Sequence, residues 1–372
     1  MIQYWLCWAV WMLAILYPSF VYLLAARHLK NHQPPAGDEL TADGEGVSVI
    51  VCAHNEANNL RELLPLLYRQ HYKPLEIIVV DDRSTDDTAL LLHEQKKEES
   101  RLRSVWVKER PEHVRGKKFA LSLGIRKARY DKILLTDADC RPQSDHWVGE
   151  MASWLRGSKL FVLGFSPYYY RPGWLNAFIR YETLHTALLY LGAALAGRPY
   201  MAVGRNLAYR KSFFLEKKGF RGHWHINGGD DDLWVNRHAD AKNSCVSLSE
   251  RTKVYSIPKE RLPAYLRQKK RHLHVGKYYR KKDKLWLGAL SFSEVMSYLL
   301  LLPLILMANE PYTIMLGFVL KWYALLTSFK TAVRKFNESL KPAHLPILNI
   351  LYVIYLVQSG TRALFSKNTR WS

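Results

Sequence analysis

Carboxylates recur in this sequence directly behind apolar runs. Val79-Val80 leads straight into Asp81-Asp82-Arg83-Ser84, and Leu134-Leu135 into Thr136-Asp137-Ala138-Asp139. Helix capping by Asp or Ser accounts for one such placement, but two pairs behind two apolar runs point to chemistry. An Asp-x-Asp pair suits a hard divalent cation. Residues two apart on an extended strand point the same way, and Mg2+ typically takes one or two carboxylates together with substrate phosphates. A third cluster, Gly228-Gly229-Asp230-Asp231-Asp232-Leu233-Trp234, sets three carboxylates side by side. Their mutual repulsion raises the proton affinity of at least one, which suits a general base for a hydroxyl nucleophile; the plainer alternative is a solvated helix start. The basic counterweight is Arg267, Lys269, Lys270, Arg271, Lys277, Arg280, Lys281, Lys282 and Lys284. These cations fit anionic lipid headgroups, and Arg271 would also neutralise a diphosphate leaving group.

Strands must hold the carboxylates. The patterning predicts short strands at residues 47–52, 76–80, 105–107, 132–135 and 160–164. It predicts helices at 58–70, with Leu60, Leu63, Leu64 and Leu67 on one face, and at 86–97, with Asp86 and Asp87 in the first turn. Such alternation gives an α/β fold with a mostly parallel sheet covered by helices. Open sheets of this kind bind ligands beyond the C-terminal ends of their strands, which is where the carboxylates fall.

Charge-free or nearly charge-free runs flank this region. Residues 2–26 carry no charged side chain, 285–307 only Glu294, 311–329 only Lys321, and 345–361 none. A bilayer core needs roughly 20 apolar residues as a helix. The first run starts at once, without a basic leader, and exceeds the apolar stretch of a signal peptide. The expected organisation is therefore a transmembrane helix at 2–26, a linker at 27–46, a catalytic domain at 47–284 and a membrane region of two to three helices at 285–365. Lys321 would snorkel or face protein. Arg27 and Lys30, and again Lys330, Arg334, Lys335 and Lys341, lie on the cytoplasmic side if the N-terminus is outside; the tail with Arg362, Lys367 and Arg370 then falls outside, against the positive-inside rule. Residues 174–195 read equally as an interfacial helix and as a buried core helix.

Fifty-four Lys+Arg against 33 Asp+Glu give a net charge of +21, which asks for an anionic partner. Nucleic acid is excluded as that partner, because carboxylates at strand ends repel phosphate and membrane runs have no place in such a binder. The four cysteines are scattered without metal spacing, and no dinucleotide, P-loop or nucleophile-elbow motif occurs.

In this order the clusters resemble the membrane-bound family 2 inverting glycosyltransferases of bacterial type, whose relatives include ceramide-glucosyltransferase-like and polysaccharide-synthase-like enzymes. Val49-Ile50-Val51-Cys52-Ala53-His54-Asn55-Glu56 resembles the family's opening strand and turn, and Val79 to Asp86 its nucleotide-binding aspartates. Gly116-Lys117-Lys118 resembles its Gly-Lys segment and Thr136 to Asp139 its metal motif. Gly204-Arg205-Asn206-Leu207-Ala208-Tyr209-Arg210 resembles the acceptor-side segment, Gly229 to Leu233 the base motif, and Gln268-Lys269-Lys270-Arg271-His272 the Gln-x-x-Arg-Trp motif.

The resemblance spans about residues 47–272 and implies a GT-A fold, a Rossmann-like mostly parallel sheet, with transmembrane helices at both ends. It implies a nucleotide-sugar donor, UDP-linked, held by Ala53, Asn55, Glu56, Asp81, Asp82, Lys117 and Asp137. Mg2+ or Mn2+ would sit on Asp137 and Asp139. Arg205, Asn206, Gln268, Arg271 and His272 would line the acceptor and diphosphate region, and one of Asp230, Asp231 and Asp232 would be the base. Anchoring on Asp232-Leu233 makes the base Asp230; matching the family's Glu-Asp to the first acidic pair makes it Asp231. His272 stands where Trp is usual, and His stacks less well on an acceptor sugar. The expectation is thus an inverting, metal-dependent transferase acting on a lipid or lipid-linked hydroxyl, its catalytic domain cytoplasmic on a multi-pass protein of the inner or plasma membrane. The alternative is a processive polysaccharide synthase.

Overall fold

The structure is a computed structural model that describes residues 1–33, 44–112, 114, 116–307 and 311–365, with side chains through residue 360. Of the linker expected at 27–46, residues 34–43 lie outside the described residues, and residues 27–31 are not linker but the end of the first helix.

Among the described residues nine strands form in chain order: β1 (Val47–Ala53), β2 (Leu75–Asp81), β3 (Leu102–Trp106), β4 (Lys132–Asp137), β5 (Cys140–Pro142), β6 (Phe161–Gly164), β7 (Leu207–Arg210), β8 (Ser244–Ser247) and β9 (Val254–Ser256). Seven of them build one sheet in the order β3-β2-β1-β4-β7-β6-β8, while β5 and β9 pair separately. The pairs β1·β2, β1·β4, β2·β3 and β6·β8 are parallel, and β7 is antiparallel to both β4 and β6. Period-two alternation divides the core. Val49 and Val51 face the layer of α2 (Ala57–Tyr68) and α5 (Trp147–Ser153), whereas Ile50 faces α4 (Lys118–Lys127) and the membrane side. On α2, Leu60, Leu63, Leu64 and Leu67 are all buried, as their spacing predicts.

α3 (Thr88–Glu98) starts later than expected, so Asp86 and Asp87 lie outside its first turn. Asp86 instead accepts from the amides of Ala57 (3.1 Å) and Thr88 (3.0 Å), stitching the starts of α2 and α3 together.

The remaining helices are α1 (Ile2–Asn31), α6 (Trp174–Leu195), α7 (Lys211–Glu216), α8 (Asp232–His238), α9 (Leu262–Gly276), α10 (Lys281–Leu299), α11 (Leu301–Leu306), α12 (Pro311–Lys335) and α13 (Leu345–Phe365). Among the described residues four stretches are long and apolar enough to cross a membrane: Ile2–Asn31, Lys281–Leu306, Pro311–Lys335 and Pro342–Gly360. The helical runs extend past the sequence boundaries, α1 to Asn31 and α10 back to Lys281. The ends of α1 and α12 meet beside the sheet, where Lys335 Nζ donates to the His32 carbonyl (2.6 Å). At the other end Tyr4 Oη lies 2.6 Å from Thr313 Oγ1.

α6 is a buried core helix and not an interfacial one. Fifteen of its 22 residues are buried, and it packs against α1, α12, α13 and β8. Gly192 permits this approach, since a Cβ there would sit 2.7 Å from the Ala25 Cβ of α1. Lys321 faces protein: its Nζ donates to Ser297 Oγ (2.6 Å) and pairs with Glu294 (3.3 Å), which also accepts from Tyr22 Oη (2.7 Å). A buried cation among spanning helices demands such a partner.

Candidate active site

Parallel register brings three strand ends to one level. Ala53 pairs with Asp81, and Cys52 with Asp137. The chain reverses its strand order between β1 and β4, so these ends open the crevice where α/β sheets bind ligands. Asp81 accepts from the Ser84 amide (3.0 Å). Asp82 is buried: its Oδ1 takes Arg83 Nε (2.8 Å), while its Oδ2 has no partner among the described residues. A buried, unpartnered carboxylate oxygen is a place for a ligand N–H or O–H. Asn55, at φ 57°, locks the neighbouring loop by accepting from the Thr85 amide (2.8 Å), and Glu56 accepts from Asn59 (2.6 Å). Burial, with Asp139 and Asp137 nearby, raises the Glu56 carboxyl above its ordinary pKa, against the opposing pull of the Asn59 hydrogen bond and Lys259.

Lys117 joins the strand ends to the acidic triplet. Its Nζ lies 2.8 Å from Asp137 and 3.2 Å from Asp230. Burial opposes the charge on Lys117, but the two carboxylates outweigh it and hold the ammonium protonated. Asp137 is likewise pushed up by burial and pulled further down by Lys117, so it stays ionised; Arg205 and Arg271 add to that pull. Asp139 is raised, by burial and then by Asp137. The pair does not lie on one extended strand, as the spacing suggested. β4 ends at Asp137, and Asp139 lies in the turn before β5. The turn still converges the side chains: ligand atoms of Asp137, Asp139 and Cys140 lie within 4.8 Å of one another. Burial and both aspartates drive the Cys140 thiol well above its usual pKa, and Asp137 and Asp139 offer two carboxylates. Hard oxygen donors of this kind fit Mg2+ or Mn2+.

The triplet's members differ in setting. Gly228 and Gly229 take φ 93° and 82°, a left-handed turn that side chains resist, and this swings the chain back into the cleft. Lys118 fixes the same turn from beneath, its fully buried Nζ donating to the carbonyls of Ile226 and Gly228 (2.6 Å for the latter). Asp231 caps α8 and accepts from the amides of Asp232 (2.7 Å) and Gly204 (2.6 Å). Burial and the charge of Asp230 push its pKa up to about 6. Asp232 points away, accepting from Tyr279 Oη (3.0 Å), and burial followed by Asp231 raises it well above the carboxylate range.

Residues 48–216 match the family described as glycosyl transferase family 2. The matched segment, β1 through α7, is a glycosyl transferase family 2 domain. It is similar to the poly-beta-1,6-N-acetyl-D-glucosamine synthase of Staphylococcus aureus (strain MSSA476), 32% identical over 130 residues, which is 35% of this chain and 29% of that one. The Staphylococcus epidermidis synthase of the same name is 34% identical over 95 residues, 26% of this chain and 22% of the relative. The matched stretches thus span less than a third of these curated relatives. In three dimensions the chain resembles the mannosyltransferase PcManGT from Pyrobaculum calidifontis, solved in complex with GDP-Man and Mn2+. The TM-score is 0.63 at 19% identity, covering 97% of this chain and 100% of that one. The fold is GT-A, as the motif order implied.

One of the expected site residues lies inside the fold. Asn206 is fully buried. Its amide ties together the Phe165 (2.7 Å) and Thr252 (2.8 Å) carbonyls and accepts from Trp147 Nε1 (3.1 Å), so its side chain is engaged in holding the fold together. Arg205 turns toward the cleft, with Nε on Ser166 Oγ (2.8 Å) and Nη1 on Tyr168 Oη (3.1 Å). Gln268, on α9, has a buried Oε1 without a partner among the described residues. His272 reaches solvent, yet desolvation and the cations Lys269, Arg271 and Arg205 hold its pKa well below the usual value. The positions of Tyr168 and Lys118 escaped sequence reasoning. Lys118 left a signal, since it shares the buried register of Leu121 and Ile125 on α4.

Proposed function

We propose that this family 2 glycosyltransferase moves a sugar from a nucleoside diphosphate, a UDP-sugar on the motif resemblance, to a hydroxyl of a lipid or lipid-linked acceptor, with inversion. The observation that carries this reading is the position of Lys117 between Asp137 and Asp230, 2.8 and 3.2 Å away, which makes one cleft of a donor-diphosphate region and a base region. Asp81 and Asp82 would take the nucleoside, the free Asp82 Oδ2 accepting from it. Asp137 and Asp139 would hold Mg2+ or Mn2+, which when bound supplies Lewis-acid stabilisation of diphosphate charge. Lys117, Arg205 and Arg271 add fixed positive charge facing the leaving group.

Asp231 is the base in this reading. A pKa of about 6 leaves it ionised at neutral pH yet basic enough to accept a proton. Asp230 is neutralised by Lys117, and Asp232 is turned toward Tyr279. The acceptor oxygen forms its bond to the anomeric carbon from the face opposite the diphosphate, the carbon–diphosphate oxygen bond breaks, and the hydroxyl proton passes to Asp231.

The acceptor reading is supported by where the cleft opens. α9 borders it and leads into α10, the basic residues Arg27, Lys30, Lys330, Arg334 and Lys335 lie toward the ends of α1 and α12 on the sheet side, and Lys341 lies in the connection that follows α12. By the positive-inside rule that side is cytoplasmic. The test is transfer of labelled sugar from a panel of nucleotide sugars into membrane lipids by the full-length protein. Incorporation that vanishes with chelator and in Asp137→Asn is expected. Transfer surviving both would refute the metal role, and no incorporation from any donor would refute the function.

Similarity to the polysaccharide synthases over 130 residues favours a second reading, processive synthesis. His272 in place of Trp weighs against it, because it weakens the stacking of a growing chain. Product sizing separates a single added sugar from a ladder.

A further inference from the structure

Beside the cleft, on the far side of Arg205, lies a recess of about 280 Å3 that the proposed chemistry does not use. Three tyrosines line it. Tyr168 is buried, and the Arg205 guanidinium sits 4.7 Å above its ring. Tyr255 stacks on Tyr169 with ring centres 4.9 Å apart, and its hydroxyl donates to Glu338 (2.8 Å). Tyr170 is 70% exposed and meets only the Arg180 guanidinium, 5.5 Å from its ring centre. The floor is polar and rigid. Arg180 donates to the Ser339 carbonyl (2.6 Å) and pairs with Glu338 (3.3 Å), both side chains being nearly buried. Lys253, also buried, donates to the Asn337 carbonyl (3.1 Å) and pairs with Glu250 (2.8 Å) and Glu338 (3.7 Å).

We propose that this recess is a subsite for one neutral sugar ring of the acceptor. Ring faces bordered by fixed donors and acceptors match a pyranose, which has C–H faces and a hydroxyl rim. Among the lining residues the cation Arg180 is paired with the carboxylate of Glu338, so the lining offers no surplus charge for a phosphate. The volume is small against the roughly 300–1,000 Å3 of drug-sized sites, which suits one ring and not a chain. Residues 337–339 connect α12 to α13, two membrane-crossing candidates, so the recess opens where a lipid would present its headgroup sugar. Tyr168 links it to the reaction centre: its hydroxyl accepts from Arg205 (3.1 Å), whose charge acts on both Asp137 and Asp139. The subsite deepens the lipid-linked acceptor reading and rests on it.

Two variants test the subsite in the full-length, detergent-solubilised protein. Tyr170→Ala removes an exposed ring that contacts only Arg180, and Ser339→Trp fills the recess from its exposed rim. Saturation-transfer NMR with methyl glycosides of glucose, galactose, mannose and N-acetylglucosamine reads binding without turnover. At least one glycoside is expected to bind through its ring C–H protons and to weaken about three- to tenfold in both variants. Lipid transfer assays are expected to show the same rise in acceptor KM, with donor KM steady. Absence of glycoside binding, or binding equal in wild type and both variants, would overturn the subsite. If lipid products form while acceptor KM is unmoved, the subsite fails and the lipid reading stands. If both variants lose glycoside binding yet no lipid is glycosylated, the subsite stands and the lipid reading fails.

Discussion

Asp81 and Asp137 each close a parallel strand whose other residues are all buried, so sheet register alone sets them at one level. Across the cleft, Asp231 is held by the Gly204 amide, Arg205 by Ser166 and Tyr168, and the supporting helix α6 by α1, α12 and α13. The strand-end half is positioned by local pattern. The opposite half, where the acceptor is proposed to bind, is positioned by contacts between segments far apart in the chain, and it is continuous with the long apolar helices. A substitution in the first half should therefore disturb ligand binding, and one in the second should disturb turnover or the join to the membrane region.

The sharpest way to break this contrast is the acidic triplet, which contributes to both halves. Asp231→Asn is expected to lower kcat by about 10²–10⁴, the range for a lost general base, with donor KM little changed. Asp230→Asn, which frees Lys117, is expected mainly to raise donor KM. Single-turnover transfer kinetics would show it, and the reverse pattern would move the base into the strand-end half.

Next in size is the membrane join. Lys321→Met leaves Glu294 buried without its cation and is expected to cost about 3–5 kcal/mol, lowering the unfolding temperature in detergent. Adding Glu294→Gln should recover much of that loss. Lys118→Met is expected to cost about 1–3 kcal/mol, because two buried carbonyls lose their donor. It should also lower kcat through the slackened Gly228-Gly229 turn, more than it alters donor KM.

The smallest effect is graded with pH. Asp231 must be ionised to act, so kcat/KM is expected to fall about tenfold per pH unit below a pKa of about 6. The sign for stability is opposite. Its folded value lies above the ordinary ~3.9, so Asp231 favours the fold fully below that value and loses this contribution as pH rises through about 6. Rate and unfolding temperature measured across pH 4–8 should move in opposite directions where this group dominates.

Legibility in the sequence follows the same division. The strands β1, β2, β4 and β6, the aspartates behind β2 and β4 and the four long apolar stretches could be read because each depends on neighbours in sequence, whereas β3 begins at Leu102 and not at residue 105, and the short strands β5, β7, β8 and β9 were not predicted. The convergence of Asp137 and Asp139 was read correctly for a wrong reason: a turn aims them, not a strand. Asn206 misled because a buried amide cannot be distinguished from a binding one until its partners Trp147 and Thr252 are known, and they lie 59 and 46 residues away. The choice between Asp230 and Asp231 depends on Lys117 and Gly204, both remote. α6 stayed ambiguous because an apolar helix reads alike whether lipid or protein covers it.

The most direct test of the central claim is mass spectrometry of membrane lipids after incubation with the full-length protein and an isotope-labelled nucleotide sugar. A single labelled sugar increment on a lipid, absent with Asp231→Asn, is the expected result. A ladder of increments on a lipid-free polymer, or label that never reaches the lipid fraction with any donor, would contradict it.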